Sequence, residues 1–168
     1  MKNLLNIYRA GSVRRYHTAL HLQQQDVASH SWGVLAILLY IEPWPSVALM
    51  KAAVYHDVGE VVTGDIPAPF KWDNPKLAKA LAEAEAKAEE RMGVSLTLLE
   101  HEKVLLKIAD LGELVLRNVQ ELMLGNRYAA KIIQRGLGAL DECYGRAGDA
   151  ADEFIRELEK YTHEMEDN

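Results

Sequence analysis

The sequence predicts an all-α fold, a single compact bundle of about six or seven helices. Apolar residues return with a 3.6-residue period through most of the chain, and no run shows the strict alternation of a half-buried strand. Asp, Ser and Asn stand where helices should begin, and Gly or Pro where they should stop. No period of 20 to 50 residues repeats, and no linker long enough to separate a pair of domains interrupts the 168 residues. One domain over 1–168 is the expectation, with the chemistry in 14–113 and two C-terminal helices within 127–166.

The elements follow in order. Residues 2–10 form a short amphipathic helix that Gly11 stops. Asp26 caps a second helix over 27–41, and Pro43 and Pro45 end it. Ser46 caps a third over 47–58, which stops near Gly59. From 59 to 73 the text turns to Gly, Pro, Thr and Asp, and the stretch Thr63-Gly64-Asp65-Ile66-Pro67-Ala68-Pro69 reads as irregular loop. Asn74-Pro75 opens an Ala/Glu/Lys-rich helix that runs to Met92 and closes at Gly93. A long apolar-periodic helix lies within 95–124, and helices at 127–144 and 150–166 complete the bundle.

Composition narrows the classes of function. Hydrophobic residues make up 49% and charged residues 26%, the balance of a globular domain rather than a disordered or repetitive chain. The longest apolar stretch, 34–41, is far below the roughly 20 residues of a spanning helix, so no membrane partner is expected. The first residues run directly into an amphipathic segment without a signal-peptide core, and a cytoplasmic location is expected. Cys143 is the sole cysteine, so any metal must be bound by His, Asp or Glu. A formal charge of −6 argues against stable nucleic-acid binding while leaving room for a small anionic ligand.

One helix carries an anomaly. His56-Asp57 follows the apolar run Val47-Ala48-Leu49-Met50-Lys51-Ala52-Ala53-Val54-Tyr55, where further aliphatic residues would be expected. Adjacent helical residues point about 100° apart, so both reach one ion only if it lies in a groove between helices. The remaining donors would be His30 and Asp110, polar residues at positions that read as buried. Two imidazoles and two carboxylates suit Co²⁺, Mn²⁺, Zn²⁺, Fe²⁺ or, less well, Mg²⁺. Such an ion can acidify water and offset charge on a phosphoryl group. Taken alone, His30 reads as a hydrogen-bonded core histidine and Asp110 as a cap or ion-pair partner; the joint pattern carries the metal reading.

That pattern, His30, then His56-Asp57, then Asp110 on successive helices, resembles the HD superfamily of metal-dependent phosphohydrolases. The likeness is nearest to the YfbR-like 5′-deoxynucleotidases and the related phage dATP triphosphohydrolases of the DatZ type. It rests on Arg14-Arg15-Tyr16-His17-Thr18, on residues 25–32, on His56-Asp57-Val58-Gly59-Glu60 with residues 63–67, and on Ala109-Asp110. The resemblance implies an HD-domain bundle, a divalent metal held by His30, His56, Asp57 and Asp110, and a 2′-deoxynucleotide substrate. Glu60 would orient or deprotonate the attacking water, Asp65 would assist it or contact the sugar, and Lys71 would bring a cation to a phosphate. Each also has a plainer reading: a solvated helix-end acid, a turn-former, and a loop lysine beside the Trp72 indole. Arg15 or Arg14 would hold phosphate, and Tyr16, in place of the tryptophan of relatives, would lie against sugar or base. Ser29 replaces the glutamate that often precedes the histidine in relatives. His17 and His21 read as pocket-wall or surface residues, and His101 and His163 as solvated.

The expected activity leans towards dATP or dNTP triphosphohydrolysis with release of tripolyphosphate, because Arg14, Arg15, Lys71 and Lys107 can supply positive charge. A 5′-deoxynucleotidase releasing phosphate from a dNMP is the alternative. A non-catalytic nucleotide-binding module that keeps the metal for structure is a third reading, and cyclic-nucleotide or alarmone hydrolysis a fourth. A homo-oligomer is expected.

Overall fold

The computed structural model describes residues 1–166, the side chains of Ala68, Pro69, Trp72 and Glu166 excepted. Its elements are α1 (Lys2–Ala10), β1 (Arg14–Arg15), β2 (Gln25–Asp26), α2 (Val27–Ile41), α3 (Val47–Tyr55), a 3-10 turn (Val58–Val61), α4 (Ala68–Asp73), α5 (Pro75–Met92), α6 (Glu100–Met123), α7 (Ala129–Asp141) and α8 (Asp149–Glu166). The fold is all-α, as the periodicity predicts.

Local chemistry explains most of the boundaries. Asp26 accepts the Ser29 N–H at 2.8 Å and so satisfies one of the open donors at the start of α2. Ser46 does the same for Leu49 at 3.0 Å, and its hydroxyl donates to Glu102. Glu102 reaches back to the Leu99 N–H at 2.9 Å and thereby opens α6. Gly93 closes α5 in the left-handed region at φ 74°.

One apolar core joins α2, α3, α6, α7 and α8. Val34, Leu38 and Ile41 of α2 meet Leu49 and Ala53 of α3 and Leu105, Ile108 and Ala109 of α6. Ile133 and Leu140 of α7 and Ala151, Phe154, Ile155 and Leu158 of α8 close the other side, so the last helix packs on the body of its own chain. A smaller cluster of Ala10, Val58, Ala88 and Met92 lies under α1, α5 and the 3-10 turn. No helix among the described residues is long and apolar enough to cross a membrane.

Three expectations need correction. A short antiparallel pairing sets Arg14 opposite Asp26 and Arg15 opposite Gln25, where no strand was expected; two residues per strand are too few to show alternation. The segment 59–73 is not loop throughout, because Val58–Val61 makes a 3-10 turn and Ala68–Asp73 a helix. Pro69 is tolerated there because it occupies the first turn, where its missing N–H would have had no helical partner. The third helix stops at Tyr55 rather than near residue 58, since Asp57 leaves the helical region at φ −105° and ψ 8°.

Candidate metal centre and nucleotide site

Three helices bring the predicted donors together. His30 lies on α2, fully buried, and its Nδ1 donates to Glu113 Oε2 at 2.5 Å. His56 follows the last residue of α3, and its Nδ1 donates to the Ala53 carbonyl at 3.1 Å. With both Nδ1 atoms occupied, both Nε2 atoms turn to the same point, 3.1 Å apart. Asp110 Oδ1 of α6 stands 3.2 Å from His30 Nε2 and 3.9 Å from His56 Nε2. The ligand atoms of His30, His56 and Asp110 all lie within 4.8 Å of one another, close enough to share one metal ion.

Asp57 borders this trio. Its Oδ2 is 3.4 Å from His30 Nε2 and its Oδ1 is 3.6 Å from His56 Nε2, while Oδ2 also accepts Arg15 Nη1 at 2.6 Å. The donor chemistry fits a divalent cation: two imidazole nitrogens with their other nitrogens tied back, and two carboxylates, brought around one point by α2, α6 and the junction that follows α3. Asp110 departs from expectation in being 41% exposed at its side chain. Ile108 and Ala109 fill the core, and the next residue, about 100° further round the helix, faces the opening.

The charges of the cluster are interlocked. Burial disfavours the His30 imidazolium, yet hydrogen bonds with Asp110 and Glu113 outweigh it and raise the pKa to about 9. Asp110 is the converse: although one edge of its side chain is open, the protein atoms packed around it cost the carboxylate solvation, and His30 and His56 overcome that cost and hold the carboxyl at about 2. Arg15 loses solvation, but Asp57, Tyr16, Asp110 and Asp65 keep its guanidinium charged.

Glu60 sits in the 3-10 turn, 5% exposed, with Oε2 buried and without a hydrogen-bond partner. Because α3 has already ended, the turn rather than a continued helix face brings it beside Asp57. Burial, then Asp57, then Asp65 push its pKa to about 8, against the opposing pull of Arg15 and Lys71. Lys71 Nζ stands 4.0 Å from Glu60 Oε1.

Asp65 serves the backbone, with Oδ2 accepting the Tyr16 N–H at 3.2 Å. Tyr16 needs that help, being a non-glycine residue at φ 55°. Its ring stacks on His21 with centroids 4.1 Å apart, and its hydroxyl accepts from Asn118 Nδ2 at 3.3 Å. Arg14 is exposed, on the other face of β1 from Arg15. His101 and His163 are exposed as expected. The indole of Trp72 lies outside the described residues.

Sequence reasoning missed the far half of α6. Glu121, fully buried, accepts the N–H groups of Leu22 and Gln23 at 2.7 and 2.8 Å, and Arg117 donates to the Gln23 carbonyl. These contacts anchor the loop that carries Tyr16 and His21. The available signal was a run of polar residues, Glu113, Arg117, Asn118 and Glu121, at helical spacing on the core side of α6.

Known proteins share the fold of this chain. The structure of an HD-domain phosphohydrolase from Listeria innocua (TM-score 0.77, 20% identity, 99% of this chain and 89% of that one) shares the fold. So does that of the cyanophage S-2L HD phosphohydrolase DatZ, solved with dA and one catalytic Zn²⁺ ion (TM-score 0.67, 21% identity, 95% and 96%). Among sequences, 5′-deoxynucleotidases of Yersinia pestis and Yersinia pseudotuberculosis are 29% identical over 130 residues. That match covers 68% of this chain and 66%, just under two thirds, of the relatives. The family model described as 5′-deoxynucleotidase YfbR-like matches residues 2–161, and the chain belongs to that family.

Proposed function

We propose that this chain is a divalent-metal-dependent hydrolase of 2′-deoxynucleotides that cleaves the 5′-phosphate ester of a dNMP. The observation that carries the proposal is the convergence of His30 Nε2, His56 Nε2 and Asp110 Oδ1 beside Asp57, with buried Glu60 alongside. In this reading His30, His56, Asp57 and Asp110 hold the cation. When bound, the ion would lower the pKa of water and offset the negative charge of the phosphoryl group.

The chain's own residues do the rest. Arg15, charged and partly buried against Asp57, meets the phosphate oxygens. Glu60 takes the proton of the attacking water; its burial and acidic neighbours keep its proton affinity high enough to do so. Lys71 moderates that affinity from 4.0 Å. Tyr16, held by Asp65, His21 and Asn118, forms the wall against sugar or base. A purely structural metal would gain nothing from a buried acid set beside it, which favours catalysis over a nucleotide-binding module.

The preference for a monophosphate rests on family membership and on the cations around the site. Arg15 is already paired with Asp57, Lys71 faces Glu60, and Arg14 and Lys107 are exposed. A triphosphate would call for more positive charge than Arg15 and Lys71 bring. Chromatography of products from each dNMP, dNTP and matching ribonucleotide, with Mn²⁺- or Co²⁺-loaded protein, tests this. The expected outcome is a deoxynucleoside and orthophosphate from dNMPs. Turnover of dNTPs alone, with intact tripolyphosphate, would move the substrate to the triphosphate.

A further inference from the structure

One turn beyond Asp110, α6 carries Glu113, an acid only 7% exposed. A carboxylate so placed needs partners for both oxygens. Oε2 accepts His30 Nδ1 at 2.5 Å, and Oε1 accepts Gln25 Nε2 at 2.6 Å. Gln25 is itself buried, lies next to the Asp26 that caps α2, and sits opposite Arg15 in the short β pairing. The carboxylate thus ties the start of α2 to the ring of His30.

Gly33 shows that the backbone makes room for this contact. It stands one turn after His30 in the middle of α2, where glycine costs about 1 kcal/mol relative to alanine. A Cβ there would lie 2.7 Å from Glu113 Cγ and 3.4 Å from its Cδ and Oε1. Alanine would displace the side chain that reaches His30.

We propose that Glu113 is a positioning residue for the metal centre: by accepting His30 Nδ1–H it fixes the ring with Nε2 directed at the cation, and Gly33 provides the space for it. The inference rests on the reading of His30, His56, Asp57 and Asp110 as metal ligands. It assigns Glu113 no contact with substrate. A carboxylate behind a ligating imidazole orients the ring and raises its basicity as a donor, and its loss weakens metal binding about 10- to 100-fold.

The test is titration of metal-stripped protein with Co²⁺, followed by its d–d absorption and by competition with a chelating indicator. Circular dichroism reports the fold of each variant. Glu113→Ala should weaken Co²⁺ about 10- to 100-fold. Glu113→Gln should lose less, because its amide oxygen still accepts from Nδ1 and its amide nitrogen can donate to Gln25 Oε1, which has no partner. Gly33→Ala should weaken Co²⁺ with Glu113 intact. In a Glu113→Ala background, where the space is open, adding Gly33→Ala should cause no further loss, whereas an equal loss in both backgrounds would mean that Gly33 acts on the helix rather than through Glu113 and would overturn the inference.

Folded Glu113→Ala protein that binds Co²⁺ within about twofold of the wild type would also overturn it, since the expected loss is at least about tenfold. If Glu113→Ala does not fold, wild-type affinity in both Glu113→Gln and Gly33→Ala has the same force. Wild-type protein that takes up no Co²⁺ would instead remove the metal reading on which the inference stands.

Discussion

Glu60 is buried in a tight turn where Asp57 and Asp65 face it, and Arg15 and Lys71 do not offset these effects, so its carboxyl keeps a proton far above the ordinary range. If it accepts the proton of the attacking water, it must be ionised, and turnover falls as pH drops through its pKa. A bound divalent cation beside Asp57 would draw that pKa below 8, so the acidic limb of the pH–rate profile should lie under that value. Glu60→Gln should abolish this limb and lower kcat about 100- to 10,000-fold while leaving Co²⁺ affinity nearly unchanged. Equal loss of metal would make Glu60 a ligand instead. The metal-free protein carries a second signature. Both Glu60 and His30 have folded-state pKa values above their ordinary ones, about 8 against 4.5 and about 9 against 6.5. The folded state therefore holds more protons than the unfolded one, and stability declines as pH rises from about 5 to 9. Scanning calorimetry of stripped protein should show Tm falling over that window. Saturating metal, which replaces the His30 proton, should flatten the slope. At this scale His30, His56 and Asp110 were legible because a polar residue interrupting an apolar run is conspicuous. Glu113 was passed over, because an acid on a charged helix looks solvated unless its spacing with Arg117, Asn118 and Glu121 along one face is noticed.

At the scale of elements, caps and breakers placed the helices well, and α2 has the bounds that Asp26 and Pro43 imply. Legibility failed where tertiary contacts outweigh local preference. The β pairing at Arg14–Arg15 has no alternation to reveal it, and the loop after it is held by Glu121 from nearly a hundred residues away. The 3-10 turn depends on a close approach that the sequence marks only with one glycine. A Cβ on Gly59 would stand 2.7 Å from Glu85 Cβ and 2.9 Å from its Cα, backbone that cannot give way. Gly59→Ala should cost about 1–3 kcal/mol of stability by forcing α5 away from the turn. Because Glu60 is the next residue, turnover should fall as well. Urea midpoints and kcat on the same preparation check both, and an unchanged midpoint would show that the turn can slide without loss.

For the whole molecule, α6 links two tasks. Its middle turns bring Asp110 and Glu113 to His30, and its later turns, through Arg117, Asn118 and Glu121, secure the loop bearing Tyr16 and His21. Helices α7 and α8 back it with Ile133, Leu140, Ala151, Phe154, Ile155 and Leu158 on the side of the core away from α3. In the proposed reading the bundle couples a metal centre to a substrate wall, and the two together hydrolyse deoxynucleotides. The decisive measurement is phosphate release from dNMPs by metal-stripped protein before and after reloading with Mn²⁺ or Co²⁺, with Asp57→Ala alongside. The expected result is no release without metal, release on reloading, and neither metal uptake nor release for Asp57→Ala. Reloaded wild-type protein that holds its metal yet leaves every deoxynucleotide intact would contradict the proposed hydrolysis.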